Sequence, residues 1–258
     1  MKLFFRTIGE GTPLIILHGL WGASENWLPI AHILENKFRV ILPDARNHGK
    51  SPHDEEMNYE VMSNDIIELI EDLHFPVRPH IVGHSMGGKT VMALLLKKPE
   101  LVNKAIIVDI APVSYSQRDG GSHNRIIDFM ANFDLSRFSS REEVKEAIRQ
   151  HFKTERSQQL FLKNIKKTPS GFEWKINHRV VSKHFDEISG CPDNLPFATY
   201  DKEILFIKGE QSNLITGLDS LQKQFPAARL IELPRCGHWI HSEQPEKLTQ
   251  AIKDFIFD

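Results

Sequence analysis

The 258-residue sequence predicts an α/β fold, a mostly parallel twisted sheet with helices on both faces and a helical segment inserted into it. Three observations predict this. Short runs of consecutive apolar residues recur at 14–17, 39–42, 80–82, 105–110, 204–207 and 229–233. Runs that do not alternate with polar residues are the mark of strands covered on both sheet faces. Amphipathic helical stretches fall between these runs, and from 112 to 196 the alternation stops.

Residues 58–73 place Met62, Ile66, Leu69, Ile70 and Leu73 on one helical face, and 244–257 do the same with Leu248, Ile252 and Phe255. Within the interrupted stretch, 123–133, 141–152 and 156–165 read as charged helices with few strand-like runs. The expected division is a core of 1–111 and 197–258 with a helical cap of 112–196, and Gly120-Gly121 is the hinge candidate.

Apolar residues make up 40% of the chain and charged residues 26%, with 32 Lys plus Arg against 34 Asp plus Glu. No basic stripe stands out, which argues against a nucleic-acid partner or an anionic membrane surface. Only three apolar residues in a row follow Lys2, and no segment approaches the length of a membrane span. Cys191 and Cys236 cannot build a disulfide framework, and neither has metal-ligand spacing around it. No pair of the 13 histidines has H-E-x-x-H spacing. These features predict a cytoplasmic protein with reduced thiols and no metal site.

The most informative stretch is 80–90, His-Ile-Val-Gly-His-Ser-Met-Gly-Gly-Lys-Thr. Gly83-His84-Ser85-Met86-Gly87 fits G-x-S-x-G, in which a sharp strand-to-helix turn holds a serine hydroxyl clear of the sheet. Gly83, Gly88, Lys89 and Thr90 also fit the phosphate-binding P-loop pattern, and the apolar run ending in Asp109 resembles the magnesium-binding strand of such an NTPase. Both patterns predict strand, turn and helix. The rest of the chain separates them. His18-Gly19-Leu20-Trp21-Gly22 follows the first apolar run, Asp44-Ala-Arg-Asn-His-Gly-Lys-Ser51 the second, and Cys236-Gly-His-Trp239 the last. A P-loop protein has no use for any of the three.

Taken in order, H-G-x-x-G, D-x-R-x-H-G-x-S, G-H-S-M-G-G and G-H-W resemble the α/β-hydrolase superfamily over the whole chain. The stretches 44–49, 83–89, 108–112 and 236–241 most resemble the YbfF-type esterases. The resemblance implies cofactor-independent hydrolysis of small carboxylic esters or thioesters through an acyl-enzyme. Ser85 is then the nucleophile and His238 the general base, since the family's chain order is Ser, acid, His. Asp109 as the acid is implied by the YbfF-type arrangement. Glu210 is the rival, because most of the superfamily places the acid after the strand at 204–207, where this chain has Asn213 in place of the usual Asp.

The oxyanion-hole donors are expected to be the backbone N–H groups of Leu20 and Met86. Trp21 and Trp239 are candidate pocket walls, and Arg46 and His48 candidate loop braces. His18 is expected to pack its loop, His84 to point away from the serine and His241 to be exposed. The same triad suits a C–C hydrolase, a cofactor-free haloperoxidase or a hydrolase-fold ligand receptor. Dehalogenases and epoxide hydrolases need a carboxylate where Ser85 stands.

Overall fold

The structure is a computed structural model describing residues 1–115, 122–169, 171–191 and 199–258. The core strands are β1 (Phe5–Ile8), β2 (Thr12–Leu17), β3 (Phe38–Pro43), β4 (His80–His84) and β5 (Ala105–Val108). After a hairpin of β6 (Ile165–Thr168) and β7 (Gly171–Trp174), the core resumes with β8 (Ile204–Gly209) and β9 (Ala228–Leu233). The helices in chain order are α1 (Leu28–Leu34), α2 (Tyr59–Asp72), α3 (Met86–Lys97), α4 (Ser122–Asn132), α5 (Arg141–His151) and α6 (Glu155–Lys163). They continue with α7 (His178–Lys183), α8 (Phe185–Ser189), α9 (Asp219–Gln222), α10 (Ile240–Glu243) and α11 (Pro245–Phe257).

The seven-stranded sheet has the order β1-β3-β2-β4-β5-β8-β9, parallel except for β1 against β3. Its apolar runs split by residue parity. Ile15, Leu17, Ile81, Ile107, Ile204 and Phe206 join the core on the face of α2 and α3. Leu14, Ile16, Val82, Ile106, Leu205 and Ile207 join the core shared with α1 and α11. The inner runs at 14–17, 81–82, 105–108 and 204–207 are therefore apolar at consecutive positions because each neighbour in sequence serves a different layer.

The chain leaves β2 for β3 on one side and returns to β4 on the other, so the winding direction reverses between β2 and β4. Loops beyond the carboxyl ends of strands flanking such a reversal diverge and leave a crevice. Both the turn at Gly19-Leu20 and Ser85 lie there.

Two elements depart from the sequence expectation. β1 is an edge strand too short and too mixed in burial to carry a periodic signal. The hairpin β6–β7 lies inside 112–196, where few strand-like runs were expected, because Lys166 and Lys167 occupy its exposed positions and only Ile165 of β6 is buried. Two of the helices between β5 and β8, α5 and α6, start where short polar side chains cap them: Ser140 Oγ accepts from the Glu143 N–H, and Thr154 Oγ1 from Ser157 N–H. Their apolar faces share a third core with Leu20, Trp21, Tyr59, Met62 and Met86 at the crevice. The expected hinge at 120–121 and the boundary at 196 lie outside the described residues. Among the described residues no helix is long and apolar enough to cross a membrane.

Candidate active site

Ser85 occupies the bend between β4 and α3 with φ 54° and ψ −120°, a conformation costly for any residue with a Cβ. The bend is tight because its flanking glycines are in backbone contact. A Cβ on Gly83 would meet the Gly87 carbonyl oxygen at 2.4 Å, and one on Gly87 would meet the Leu17 and His18 carbonyl oxygens at 2.6 Å. The spacing G-x-S-x-G is thus a steric requirement of strand, turn and helix packed together.

Asp109 ends β5, also at positive φ (53°), and is fully buried. The turn to positive φ explains why the strand stops at Val108 rather than continuing through the apolar run to 110. Asp109 Oδ1 accepts from the Gly209 N–H at 3.0 Å, and Oδ2 accepts from Ser212 Oγ at 2.5 Å and from His238 Nδ1 at 2.8 Å. Three donors thus satisfy a buried carboxylate that would otherwise be costly to keep from water. Because a carboxylate only accepts, Nδ1 of His238 carries the proton and Nε2 is left as an acceptor. Ser85 Oγ lies 3.1 Å from that Nε2. One unbroken hydrogen-bonded line therefore runs from hydroxyl through imidazole to carboxylate, able to pass a proton from Oγ to Nε2 while balancing the cation that forms.

Glu210 stands elsewhere. It is exposed, and its Oε2 accepts from the Arg235 N–H at 2.7 Å. Glu243 Oε2 accepts from the Gly237 N–H at 2.6 Å. Both carboxylates brace the loop that carries His238. Ser212, unremarked in the sequence, fills the turn after β8 with a donor to Asp109.

Met86 opens α3, so its N–H is among the first four of the helix, which lack an intrahelical acceptor and carry the positive end of the dipole. The turn carrying Leu20 lies against the bend, since a Cβ on Gly19 would meet Ser85 Cβ at 3.0 Å. Leu20 and Met86 border the same cavity as Ser85 and His238, of about 260 Å³. A wider outer cavity of about 880 Å³ shares His123 and His238 with it, and Trp21 and Trp239 line that outer space rather than the inner one. Trp21 Nε1 donates to His123 Nδ1 at 2.8 Å, and Arg156 lies 4.9 Å over the Trp239 ring.

His18, His84 and His241 are structural in their contacts. His18 bonds Gly19 O and the Ala45 N–H. His84 Nε2 lies 2.8 Å from the His238 carbonyl oxygen, away from the hydroxyl of Ser85. His241 is buried, contrary to the expected exposure, because its ring stacks on Trp27 at 4.7 Å. Burial keeps His84 and His241 uncharged by pulling their pKa down, His241 to about 3. Arg46 pairs Asp65 through Nε and Nη2 (2.7 and 2.9 Å), and His48 Nδ1 bonds the Arg46 carbonyl.

The residues of the P-loop pattern are turned inward. Thr90 Oγ1 donates to the Met86 carbonyl and Lys89 Nζ to Ser189 O, so neither faces a phosphate loop. The model of the alpha/beta hydrolase fold matches residues 12–245. The chain belongs to the α/β-hydrolase family. Among relatives of this α/β hydrolase, the sn-1-specific diacylglycerol lipase ABHD11 of Danio rerio is 33% identical over 256 residues, 96% of this chain and 79% of that protein. Esterase YbfF of Escherichia coli K12 is 33% identical over 251 residues, 96% of this chain and 94% of the relative. A solved structure of a marine microorganism esterase superposes with a TM-score of 0.93 at 36% identity, covering 98% of this chain and 99% of that one. The protein is an α/β hydrolase of the esterase and lipase type.

Proposed function

We propose that this α/β hydrolase cleaves carboxylic esters, and thioesters by the same route, through an acyl-enzyme on Ser85. The observation that carries the reading is the line Ser85–His238–Asp109 opening onto a cavity beside two backbone N–H groups. His238 takes the Oγ proton as Oγ attacks the substrate carbonyl, and Asp109 balances the imidazolium. The Leu20 and Met86 N–H groups receive the oxyanion. The proton then passes to the leaving alcohol or thiol, and a water repeats the sequence to release the acid. Thiols leave more readily than alcohols, so the same groups suffice for both.

In this reading the segment 112–196 is a cap over the crevice, the inner cavity receives the acyl group and the outer one the leaving group, with Trp21 and Trp239 as its walls. A dry cavity of about 150 Å³ holds benzene, so the inner space of about 260 Å³ suits a short to medium acyl group. Cys191 and Cys236, not joined to each other by a disulfide, fit a reducing, cytoplasmic setting.

The test is steady-state turnover of p-nitrophenyl esters and CoA thioesters of graded acyl length, with Ser85→Ala as control. Multiple turnover that falls roughly 10⁴–10⁶-fold in the variant supports the reading. A single stoichiometric burst without turnover contradicts it and favours a ligand receptor.

A further inference from the structure

Lys89 lies one turn beyond Ser85 on α3 and is 1% exposed. Its Nζ donates to the carbonyl oxygens of Ser189 (3.1 Å) and Gly190 at the end of α8. It also sits 4.8 Å from the ring centre of Tyr115 and 5.7 Å from that of Tyr59. The same residue borders the inner cavity with Ser85, and is the only lysine or arginine among the described residues that do so. The walls around it are apolar: Leu20, Ile110, Ile188 and Leu214.

An ammonium has three N–H bonds, and the two carbonyls use two of them. Among the described residues no carboxylate pairs with Lys89. Tyr59 and Tyr115 donate their hydroxyls to the Ile188 and Leu214 carbonyls, and Cys191 Sγ donates to the Pro112 carbonyl. Burial pulls the Lys89 pKa down to about 7, against a smaller opposing pull from Cys191, so the charge is held at a cost that its partners do not fully offset. Tying α8 to α3 asks only for a donor; it does not ask for a cation. The proton transfers assigned to Ser85, His238 and Asp109 do not use Lys89 either.

We propose that Lys89 is the specificity-determining residue of the acyl pocket, binding a carboxylate at the far end of the acyl group. The preferred substrates are then esters or thioesters in which one carboxyl of a short dicarboxylic acid is acylated and the other is free. This rests on the inner cavity being the acyl site, and the test separates the two claims, because uncharged esters report on the hydrolase alone.

The probes are the mono-p-nitrophenyl esters of succinic, glutaric and adipic acids. Each is paired with the uncharged ester in which an isopropyl group replaces the carboxylate. The expected result is a kcat/KM roughly ten- to a hundredfold higher for the charged member of at least one pair below pH 7, the range for a charge-assisted hydrogen bond. Since kcat/KM follows the free enzyme's ionisations and His238 cancels in the ratio, the preference should fade as pH rises through about 7. Lys89→Met should abolish it, the kcat/KM ratio of charged to uncharged ester falling to about one within every pair. A wild-type enzyme that turns over uncharged esters with no preference for any charged partner overturns the proposal. So does a preference that Lys89→Met leaves intact. If that variant does not fold, a wild-type preference unchanged from pH about 6 to about 9 overturns it too.

Discussion

His84 donates its Nε2 proton to the backbone carbonyl oxygen of His238 across 2.8 Å, with the two rings 4.7 Å apart. The residue before the bend serine thus holds the loop of the imidazole that faces that serine. The arrangement makes Nδ1 of His84 the acceptor nitrogen, buried and without a partner, which the depressed pKa of His84 permits. His84→Ala removes the donor and leaves the carbonyl of His238 short of a partner. That costs roughly 1–3 kcal/mol. We expect kcat to fall about ten- to a hundredfold with KM little changed, and His84→Gln to recover part of the loss. Steady-state kinetics of the two variants checks this, and an unchanged kcat in His84→Ala contradicts it.

Asp109→Asn replaces the acceptor for His238 Nδ1–H with an amide that stabilises the wrong tautomer, and kcat should drop by about 10⁴. Glu210→Gln disturbs only the brace on Arg235 and should cost less than about tenfold, on the scale of one exposed hydrogen bond. Measuring kcat for both variants on one ester decides between the two carboxylates. The reverse ranking would make Glu210 the acid.

Acid should destabilise the protein early. His18, His48, His84 and His241 are buried, with pKa values pulled below 6.5 by desolvation, His48 and His241 to about 3. The unfolded chain takes up these protons below pH 6.5 while the folded one does not. Their stabilising contribution is therefore complete above pH 6.5 and lost as pH falls from there toward the folded values. Each histidine contributes about 1.4 kcal/mol per pH unit across that window. Denaturant titrations at several pH values should show this slope, and His241→Phe, which keeps the stack on Trp27, should reduce it by one histidine's share. A stability that is flat from pH 6.5 to 4.5 contradicts the account.

Asn164, buried just after α6, donates its amide to the carbonyl of Trp21 at 2.8 Å and to that of Leu160 at 2.9 Å. Trp21 itself is held at φ 65° beside Leu20. Asn164→Ala should loosen the turn that presents the Leu20 N–H. The expected kcat loss is about tenfold, well short of the roughly 10²–10³ for deleting an oxyanion donor outright. Kinetics beside a thermal melt checks it, and a lowered Tm with full kcat would make the contact purely structural.

Much of the fold was legible because the inner strands carry consecutive apolar residues, at 14–17 in β2 and 204–207 in β8. The hairpin β6–β7 was not legible, since its exposed lysines hide a strand period. The burial of His241 was not either, because stacking on Trp27 joins residues more than two hundred positions apart. Ser85 and His238 stood out through motifs at strand ends. Asp109 needed the resemblance, and its partner Ser212 had no local signal at all. Lys89 was visible only as part of a phosphate-loop pattern; its place on the cavity follows from α8, which no motif reports.

The most direct measurement is mass spectrometry of the protein after reaction with a fluorophosphonate, which phosphonylates a serine, with loss of fluoride, when a neighbouring base activates it. The account predicts one adduct per chain, on the peptide carrying Ser85, absent from Ser85→Ala and formed far more slowly in His238→Ala. Ester turnover without any adduct on Ser85, or labelling that persists in Ser85→Ala, would contradict it.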